Sequence, residues 1–472
     1  MGYFYNKGER KTRPGLYQRY ENRGMDPVAS AMVGVCAIVI QADWGPLNEV
    51  YTIYRYDDLE KVYGKNGTVA DAQELFNGGA NTVHVCRIGT GGTNGSVELM
   101  DDAGAAAVKV ESLYPGVREF AITIKPVLGV DTKKQVIITE GATELEKIEF
   151  VAGEKEAENL VAAVETYVSD YVKVTKISNG SGILADVQQA ALAGGTNPTV
   201  ATADYSTGFN ALETVEWNTI SVDTDDEAVH ALLATFMDRV YQTGRFGICV
   251  VGSPATTLNF KVRLEKAAAF DSELVVFFGD GWIDNTGAKM EGHKAVNRVA
   301  GIISATPSSK SITHLQIDGA VDLIERHTYE EYVEAIKSGC LMVSMGPDKQ
   351  VWFDSGVNTL LNPDENQDDG WKKIKRVAIR NELMMRIDKT VAKKVGRVNN
   401  DTDGRADVIQ AGQAVLNAMV AEGGKIMEGA LFYLDENNPP QGDEAWFIID
   451  ADDIDALEKI YLLYRFRYSQ LA

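Results

Sequence analysis

WNTISVDTDDEAVHALLATFMDRVYQTGRFGICVVG, residues 217–252, decides the fold class. It opens on a short apolar run, WNTISVDT, and closes on another, FGICVVG, each of strand length. Between them, DEAVHALLATFMDRVYQTG carries apolar residues every third or fourth position, the period of a helix with one face in a core. The alternation repeats downstream, where NFKVRLEKAAAF leads into SELVVFFG at 272–279. Apolar strands interleaved with amphipathic helices form a sheet covered on at least one face, so this segment reads as an α/β core.

Upstream, VASAMVGVCAIVI predicts a buried strand, YRYDDLEKVYG and TVADAQELFNGGA two helices, and NTVHVCRI a further strand, making 26–90 the first part of that core. GTGGTNGS at 89–96 reads as a flexible linker, matched by LAGGTNPTVATADYSTG at 192–208. Between these linkers the texture turns to β: AVKVES, FAITIKPV, KQVIITE, EKIEFVAG and YVKVTKIS, with one helix, EAENLVAAVETYV. Residues 91–200 are therefore expected to be an inserted, mainly-β domain. The core resumes over 201–362, with a helix in HKAVNRVAGIISATP, a helix and strand in EEYVEAIKSGCLMVSM, and a hairpin in QVWFDSGVNTL. An α+β carboxy-terminal domain, 363–458, holds the loop LNPDENQDDG, one long helical pattern over 371–397, the helix DVIQAGQAVLNAMVAEGG and the strand AWFIID. Residues 1–25 and 459–472 read as extended arms. The chain shows no internal repeat or low-complexity tract, and as a whole reads as an α/β multidomain protein.

A chain of 472 residues fits two or three domains, and 45% hydrophobic with 24% charged residues is the composition of a folded protein. Its 46 Lys and Arg face 68 Asp and Glu, for a net charge of -22. That balance argues against general nucleic-acid binding and against an anionic membrane surface as partner. The longest apolar run, AMVGVCAIVI at 31–40, is too short to span a bilayer. MGYFYNKGERKTR has no apolar signal core, and Asn6 stands where myristoylation favours Ser or Thr, so a soluble protein made in the cytoplasm is expected. Cys36, Cys86, Cys249 and Cys340 sit far apart in apolar stretches and read as buried, reduced thiols.

Chemistry-bearing motifs are weak. The glycines of GTGGTNG are not followed by a helix that could seat a pyrophosphate, and GAKMEGHK has His293 where a phosphate-binding loop needs lysine. NNDTDGRADVIQ, 399–410, places Asp401, Asp403, Gly404 and Asp407 at calcium-loop positions, but Gln410 stands where a bidentate Glu belongs, so it reads as a turn capping a helix. The histidines at 84, 230, 293, 314 and 327 form no ligand pair at helical spacing. The acidic clusters DTDDE (223–227) and DENQDD (364–369) read as solvated helix caps. No catalytic residue, metal site or cofactor is expected, although an α/β nucleotide-binding enzyme with a β insertion and a non-contractile structural oligomer remain competing readings.

Two features stand out. The pattern at 371–397 has ten basic and two acidic residues. On a helical wheel Ile374, Val377, Ala378, Met385, Val391, Ala392 and Val395 share one face, with Lys372, Lys375, Arg376, Arg386, Lys393, Lys394 and Arg397 opposite, either a solvated surface or a positive stripe for an acidic partner. The second is YLLYRFRYSQLA at the end of the chain, where Tyr464, Phe466 and Tyr468 alternate with Arg465 and Arg467 as in a strand. Burying three such aromatics contributes at most about 15 kcal/mol, while fixing some eight residues costs about 8–16 kcal/mol. The near balance means that the strand orders only on a sheet that supplies backbone partners and an apolar face. If that sheet belongs to another copy, an open assembly results.

RPGLYQRY, then ADWGPLNEVYTI with its Trp44-Gly45-Pro46 turn, SLYPGVREFAITI, EWNTISVDTDDEAVHALLATFMDRV, RIDKTVAKKVGRVNNDTDGRADV and AWFIIDADDIDALEKIYLLYRFRY together resemble, in order and spacing, the contractile tail sheath proteins of bacteriophages and phage-tail-like particles of Gram-positive hosts. The resemblance spans nearly the whole chain and departs at FFGDGWIDNTG, 277–287, where a plainer turn is expected. It implies stacked hexameric rings of this chain around a tail tube, with baseplate and tail terminator proteins as further partners and neither nucleic acid nor membrane in direct contact. It implies a place in the virion tail or a phage-tail-like particle, assembled in the bacterial host cytoplasm. Arms that add strands to neighbouring subunits are implied at Leu16, Tyr17, Arg19 and Tyr20 and at Tyr461, Tyr464, Phe466 and Tyr468 within 460–468. The insertion would face outward, and the basic residues of 371–397 would contact the tube.

Overall fold

The computed structural model describes residues 3–4, 17–18, 32–365 and 367–467. The chain divides into two units, Met32–Met385 with Asp453–Ala472, and Met1–Ala31 with Arg386–Asp452.

The larger unit is built on a seven-stranded sheet in the order Cys340–Leu341, Val275–Phe278, Ile248–Gly252, Thr219–Val222, Val35–Ile40, Thr82–Arg87, Val50–Ile53. All neighbours are parallel except the edge strand Val50–Ile53. The sheet is covered on both faces, which is why its strands read as unbroken apolar runs. Along Val35–Ile40, Cys36, Ile38 and Ile40 enter one core while Ala37 and Val39 enter the other. The first core is roofed by helices Tyr56–Tyr63, Val69–Asn77 and Gly292–Ala305, the second by Thr202–Leu212, Glu227–Gln242, Phe260–Ala268 and Tyr329–Lys337. Helices Val69–Asn77 and Gly292–Ala305 meet backbone to backbone, since a Cβ on Gly301 would stand 2.2 Å from the Leu75 carbonyl oxygen. The 277–287 segment enters a small sheet of Trp282–Asp284, Lys289–Met290 and Ala320–Leu323, more built than a plain turn.

Residues 96–191 form a four-stranded antiparallel sheet (Thr143–Val151, Val130–Glu140, Phe120–Val127, Val187–Ala191) and a three-stranded one (Val172–Lys176, Ala106–Ser112, Ser96–Met100), with helix Glu156–Tyr167. The glycine-rich linkers are not flexible spacers but a paired stem: Thr90 bridges Thr199, Thr93 bridges Thr196 and Ser96 bridges Ala193, with the Thr93 and Thr196 hydroxyls 2.9 Å apart. Nor does the second linker run to 208. Helix Thr202–Leu212 has already begun, and Gly208 lets it press against Val39 and Ile88.

What aims this β-rich segment is the Trp-Gly-Pro turn. Trp44 is buried in its core, edge-on to Tyr114 and Phe120 and stacked on Tyr171, and the Arg118 guanidinium lies over Trp44, Phe120 and Tyr171. Arg87, fully buried at the end of its strand, donates to the carbonyls of Ala42 (2.9 Å), Gly45 (2.9 Å) and Pro115 (3.0 Å), tying the sheet to both turns.

In the smaller unit, helix Thr402–Glu422 packs under an antiparallel pair, Leu431–Leu434 with Phe447–Asp450. Gly412 makes room for the Phe432 ring, and Gln413 accepts from the Phe432 amide at 2.9 Å and donates to the Ala430 carbonyl at 2.9 Å. The strand Leu431–Leu434 is four residues long and escaped the sequence reading.

A Gly116→Ala variant tests the docking of the insertion. Its Cβ would fall 1.8 Å from the Asp43 carbonyl oxygen at a φ of +154°, so a loss of about 2–4 kcal/mol in urea unfolding is expected. Gly104→Ala, at a φ of +85° in open space, should cost no more than about 1 kcal/mol.

Candidate functional site

Residues 459–467, the described part of the carboxy-terminal arm, form neither helix nor ladder. From Leu457 to Phe466 every Leu, Ile, Tyr and Phe is exposed, Tyr461 by 90% and Phe466 by 87%. The Tyr464 and Phe466 rings lie 6.4 Å apart and near parallel on one side of the chain, as alternate residues of an extended segment do. At the other end, Tyr17 belongs to a two-residue strand, Tyr17–Gln18, paired in parallel with Tyr3–Phe4. Leu16, Arg19, Tyr20 and Tyr468 lie outside the described residues. In the smaller unit the pair Leu431–Leu434 and Phe447–Asp450 is, among the described residues, a sheet of two strands, whose exposed residues include Leu431, Tyr433 and Ile449.

The basic pattern is not one helix with a free charged face. A 3-10 turn, Asp369–Lys372, precedes helix Ile374–Val391, and a second 3-10 turn, Ala392–Lys394, follows it. Ile374 and Val377 are buried as expected, but Val395 is 77% exposed. Most of the cations are engaged within the chain. Lys372 pairs with Asp369 at 3.1 Å, Lys375 is buried with its ammonium on the Ile454 carbonyl at 2.6 Å, and Arg376 grips Asp453 through two nitrogens. Arg386, also buried, holds both carboxylate oxygens of Glu422 at 2.7 and 2.9 Å, and Lys394 holds Asp407 at 2.9 Å. Apart from Asp369, three residues before Lys372, these partners lie farther off in sequence, which is why a helical wheel could not show them. Lys393 and Arg397 are exposed.

The calcium-like stretch folds as the cap that the missing glutamate suggested. Asp401 accepts from the Gly404 amide at 2.8 Å and helix Thr402–Glu422 has begun by the next residue, so Asp403 and Asp407 ride on a helix rather than around a loop. Among the described residues no group of three or more His, Cys, Asp or Glu could hold a metal. No helix among them is long and apolar enough to cross a membrane.

Open α/β sheets bind ligands at the carboxyl ends of their strands, where strand order reverses. Here that point lies between Val35–Ile40 and Thr219–Val222, and the chain fills it. Asp223, buried rather than solvated, accepts from the Gln41 amide at 3.0 Å, the Tyr205 hydroxyl at 2.7 Å and the Thr68 hydroxyl, and burial pushes its carboxyl up. Within the same acidic cluster only Asp226 acts as the expected cap, accepting from Ala228 at 2.9 Å. Beyond the end of Val275–Phe278, Asp280 is fully buried, accepting from Gly281 at 2.8 Å and Val343 at 3.4 Å, with His327 Nε2 at 3.7 Å. Arg263, buried on helix Phe260–Ala268, bonds the Gly279 carbonyl and Glu325. These groups brace strand ends against helices.

Burial raises the Asp280 carboxyl to about 7, amid Arg263, Glu325, His327, Glu331, Tyr332 and Cys340. A carboxyl raised on folding holds its proton more tightly in the native state, so its contribution to stability falls as pH rises from about 4 to about 7. Asp280→Asn keeps an acceptor and removes the titration. It should match the parent near pH 4 and exceed it above pH 7 by up to about 4 kcal/mol in denaturant unfolding.

The comparisons with known proteins agree with this geometry. A sequence profile for the phage tail sheath protein central domain matches residues 199–359, and one for the tail sheath protein Gp18 domain III, N-terminal region, matches 34–88. These are the two stretches that supply the seven-stranded sheet. The phage-like element PBSX protein XkdK of Bacillus subtilis (strain 168) is 24% identical over 410 residues, 83% of each chain. The crystal structure of the sheath tail protein from Desulfitobacterium hafniense superposes with a TM-score of 0.71 at 19% identity, covering 96% of this chain and all of that one. The helical sheath of the anti-feeding prophage in its contracted state gives 0.54 at 12% identity over 98% of this chain and all of that one. Profiles for two tail sheath domains thus fall on the stretches that build the one doubly covered sheet, and over nearly its whole length the chain shares the fold of phage tail sheath proteins.

Proposed function

We propose that this chain is the repeating subunit of a contractile tail sheath, linked to its copies by exchange of terminal strands, and that it works by changing lattice geometry rather than by catalysis. The observation that carries this reading is the exposed run from Leu457 to Phe466, an apolar segment that pairs with no strand among the described residues. The two-stranded sheet of the smaller unit offers the complementary feature, a short sheet with apolar side chains on its exposed side. Arms from other copies would complete it, the amino-terminal arm around Tyr17 on one side and the carboxy-terminal arm on the other. Because such a donor is itself a recipient, the contact is heterologous and extends into a helical stack of rings.

Arms that remain paired while compact bodies rotate let such a lattice contract without coming apart. In this reading the stack surrounds a tail tube, meets baseplate and terminator proteins at its ends, and is assembled in the bacterial cytoplasm as part of a virion tail or phage-tail-like particle. The segment 91–200 would face outward. Of the basic residues, Lys393 and Arg397 are the best-placed tube contacts, since Lys375, Arg376, Arg386 and Lys394 are committed to internal partners.

Deleting 460–472 should leave a folded, soluble subunit that no longer forms wide hollow tubes in negative-stain images; long tubes from that truncation would refute strand exchange at this end. Lys393→Glu with Arg397→Glu should weaken co-sedimentation of the sheath with purified tubes roughly tenfold or more, an effect that high salt should mimic in the parent protein.

A further inference from the structure

The six residues before the exposed arm, Asp453–Glu458, have no helix and take part in no extended ladder, yet they are held by a dense set of charged contacts. Asp453 receives Arg376 through Nε at 2.9 Å and Nη2 at 2.5 Å, with Arg380 at 3.2 Å. Asp455 meets Lys373 at 2.6 Å, and Glu458 meets the same lysine at 3.0 Å. The other oxygen of Glu458 accepts from the Thr313 hydroxyl at 2.8 Å, and between these carboxylates the Ile454 carbonyl takes the Lys375 ammonium at 2.6 Å. Asp368 also pairs with both arginines, and the Arg380 guanidinium lies over the Trp371 ring. Among the described residues past Glu458, 459–467, no hydrogen bond or ion pair continues the set and the side chains are exposed.

We propose that this cluster is a charge clasp: the basic turns at 373–380 fix the root of the carboxy-terminal arm to its own subunit and so set the place and direction in which the arm is offered to a second copy of the chain. The physical reason is entropic. An arm free from residue 451 onward would search a larger volume than one free only from residue 459, and its pairing strand would be less concentrated near its target. A half-buried clasp of bidentate and shared ion pairs is also the kind of contact that carries tension between copies, because several bonds must break together. The partner half of this inference rests on the sheath reading, while the anchoring half stands on the contacts alone.

The test uses the full-length, unassembled subunit. Asp453→Asn, Asp455→Asn and Glu458→Gln together preserve shape and remove charge. Trypsin cleavage after Lys459 should then rise about tenfold or more with the core melting unchanged, and about 1 M NaCl should loosen the parent protein in the same way. Arg376→Asp or Asp453→Arg alone should loosen the root, and the two combined should restore its protection. Unchanged cleavage in the triple variant would overturn the clasp. Tubes of parent length and number from a subunit with a loosened root would overturn its role in presenting the arm. A parent chain protected at Lys459 that never forms tubes would count against the sheath reading and leave the anchoring intact.

Discussion

The buried guanidinium of Arg87 is the contact on which the arrangement of the larger unit depends. It lies at the end of the strand beside the antiparallel edge, donates from Nε and Nη1 to the carbonyls of Ala42, Gly45 and Pro115, and has no access to water. Burial lowers its pKa to about 10, still high enough to keep it charged at neutral pH. A charge so placed is tolerable only while those carbonyls stay where they are. The turn therefore cannot drift, and through Trp44 and the paired threonine stem neither can the inserted β segment. Two covalent crossings, at 89–96 and 192–200, would otherwise leave that segment free to swing.

That rigidity has a counterpart in the ends of the chain. The inner strands of the large sheet have covered faces, and the acids that might have made a ligand site, Asp223 and Asp280, accept hydrogen bonds from their own chain. From Leu457 to Phe466 the carboxy-terminal arm instead leaves its apolar side chains in solvent. Unpaired extended backbone with exposed aromatics gains little from folding alone and much from joining a sheet. A stiff body with conditional ends is what a lattice needs if its units are to rotate and remain connected.

The α/β core was legible because its signals are local: apolar runs of strand length, helical periods, glycines after Tyr63 and Asn77. What escaped depends on residues far apart in sequence. Nothing within GTGGTNGS announces that its threonines face those of a second linker 100 residues later. LFYL at 431–434 is too short to show alternation and is a strand because Phe447–Asp450 lies beside it. Gly208 looked like punctuation yet sits mid-helix where Val39 and Ile88 leave no room for a side chain. The long basic pattern reads in sequence as one helix with a charged face, and its true ends and its acidic partners at 422 and 453–458 are tertiary facts. For the arms, the sequence shows only that these segments lack enough of their own to fold.

Charge sets one further condition on assembly. Each copy carries a net charge of -22, and much of its basic surface is consumed by internal pairs, so like copies repel. In the proposed lattice their association would come from backbone pairing and apolar burial, both of which gain as salt screens the repulsion. The clasp at Asp453–Glu458 responds the other way, since screening weakens the pairs that fix the arm's root. Salt therefore acts on the proposed lattice twice, helping the bodies approach while loosening the tether that aims the strand between them. Because the clasp is half-buried and the repelling surfaces are exposed, the repulsion is screened first as salt rises from low values and the clasp yields later.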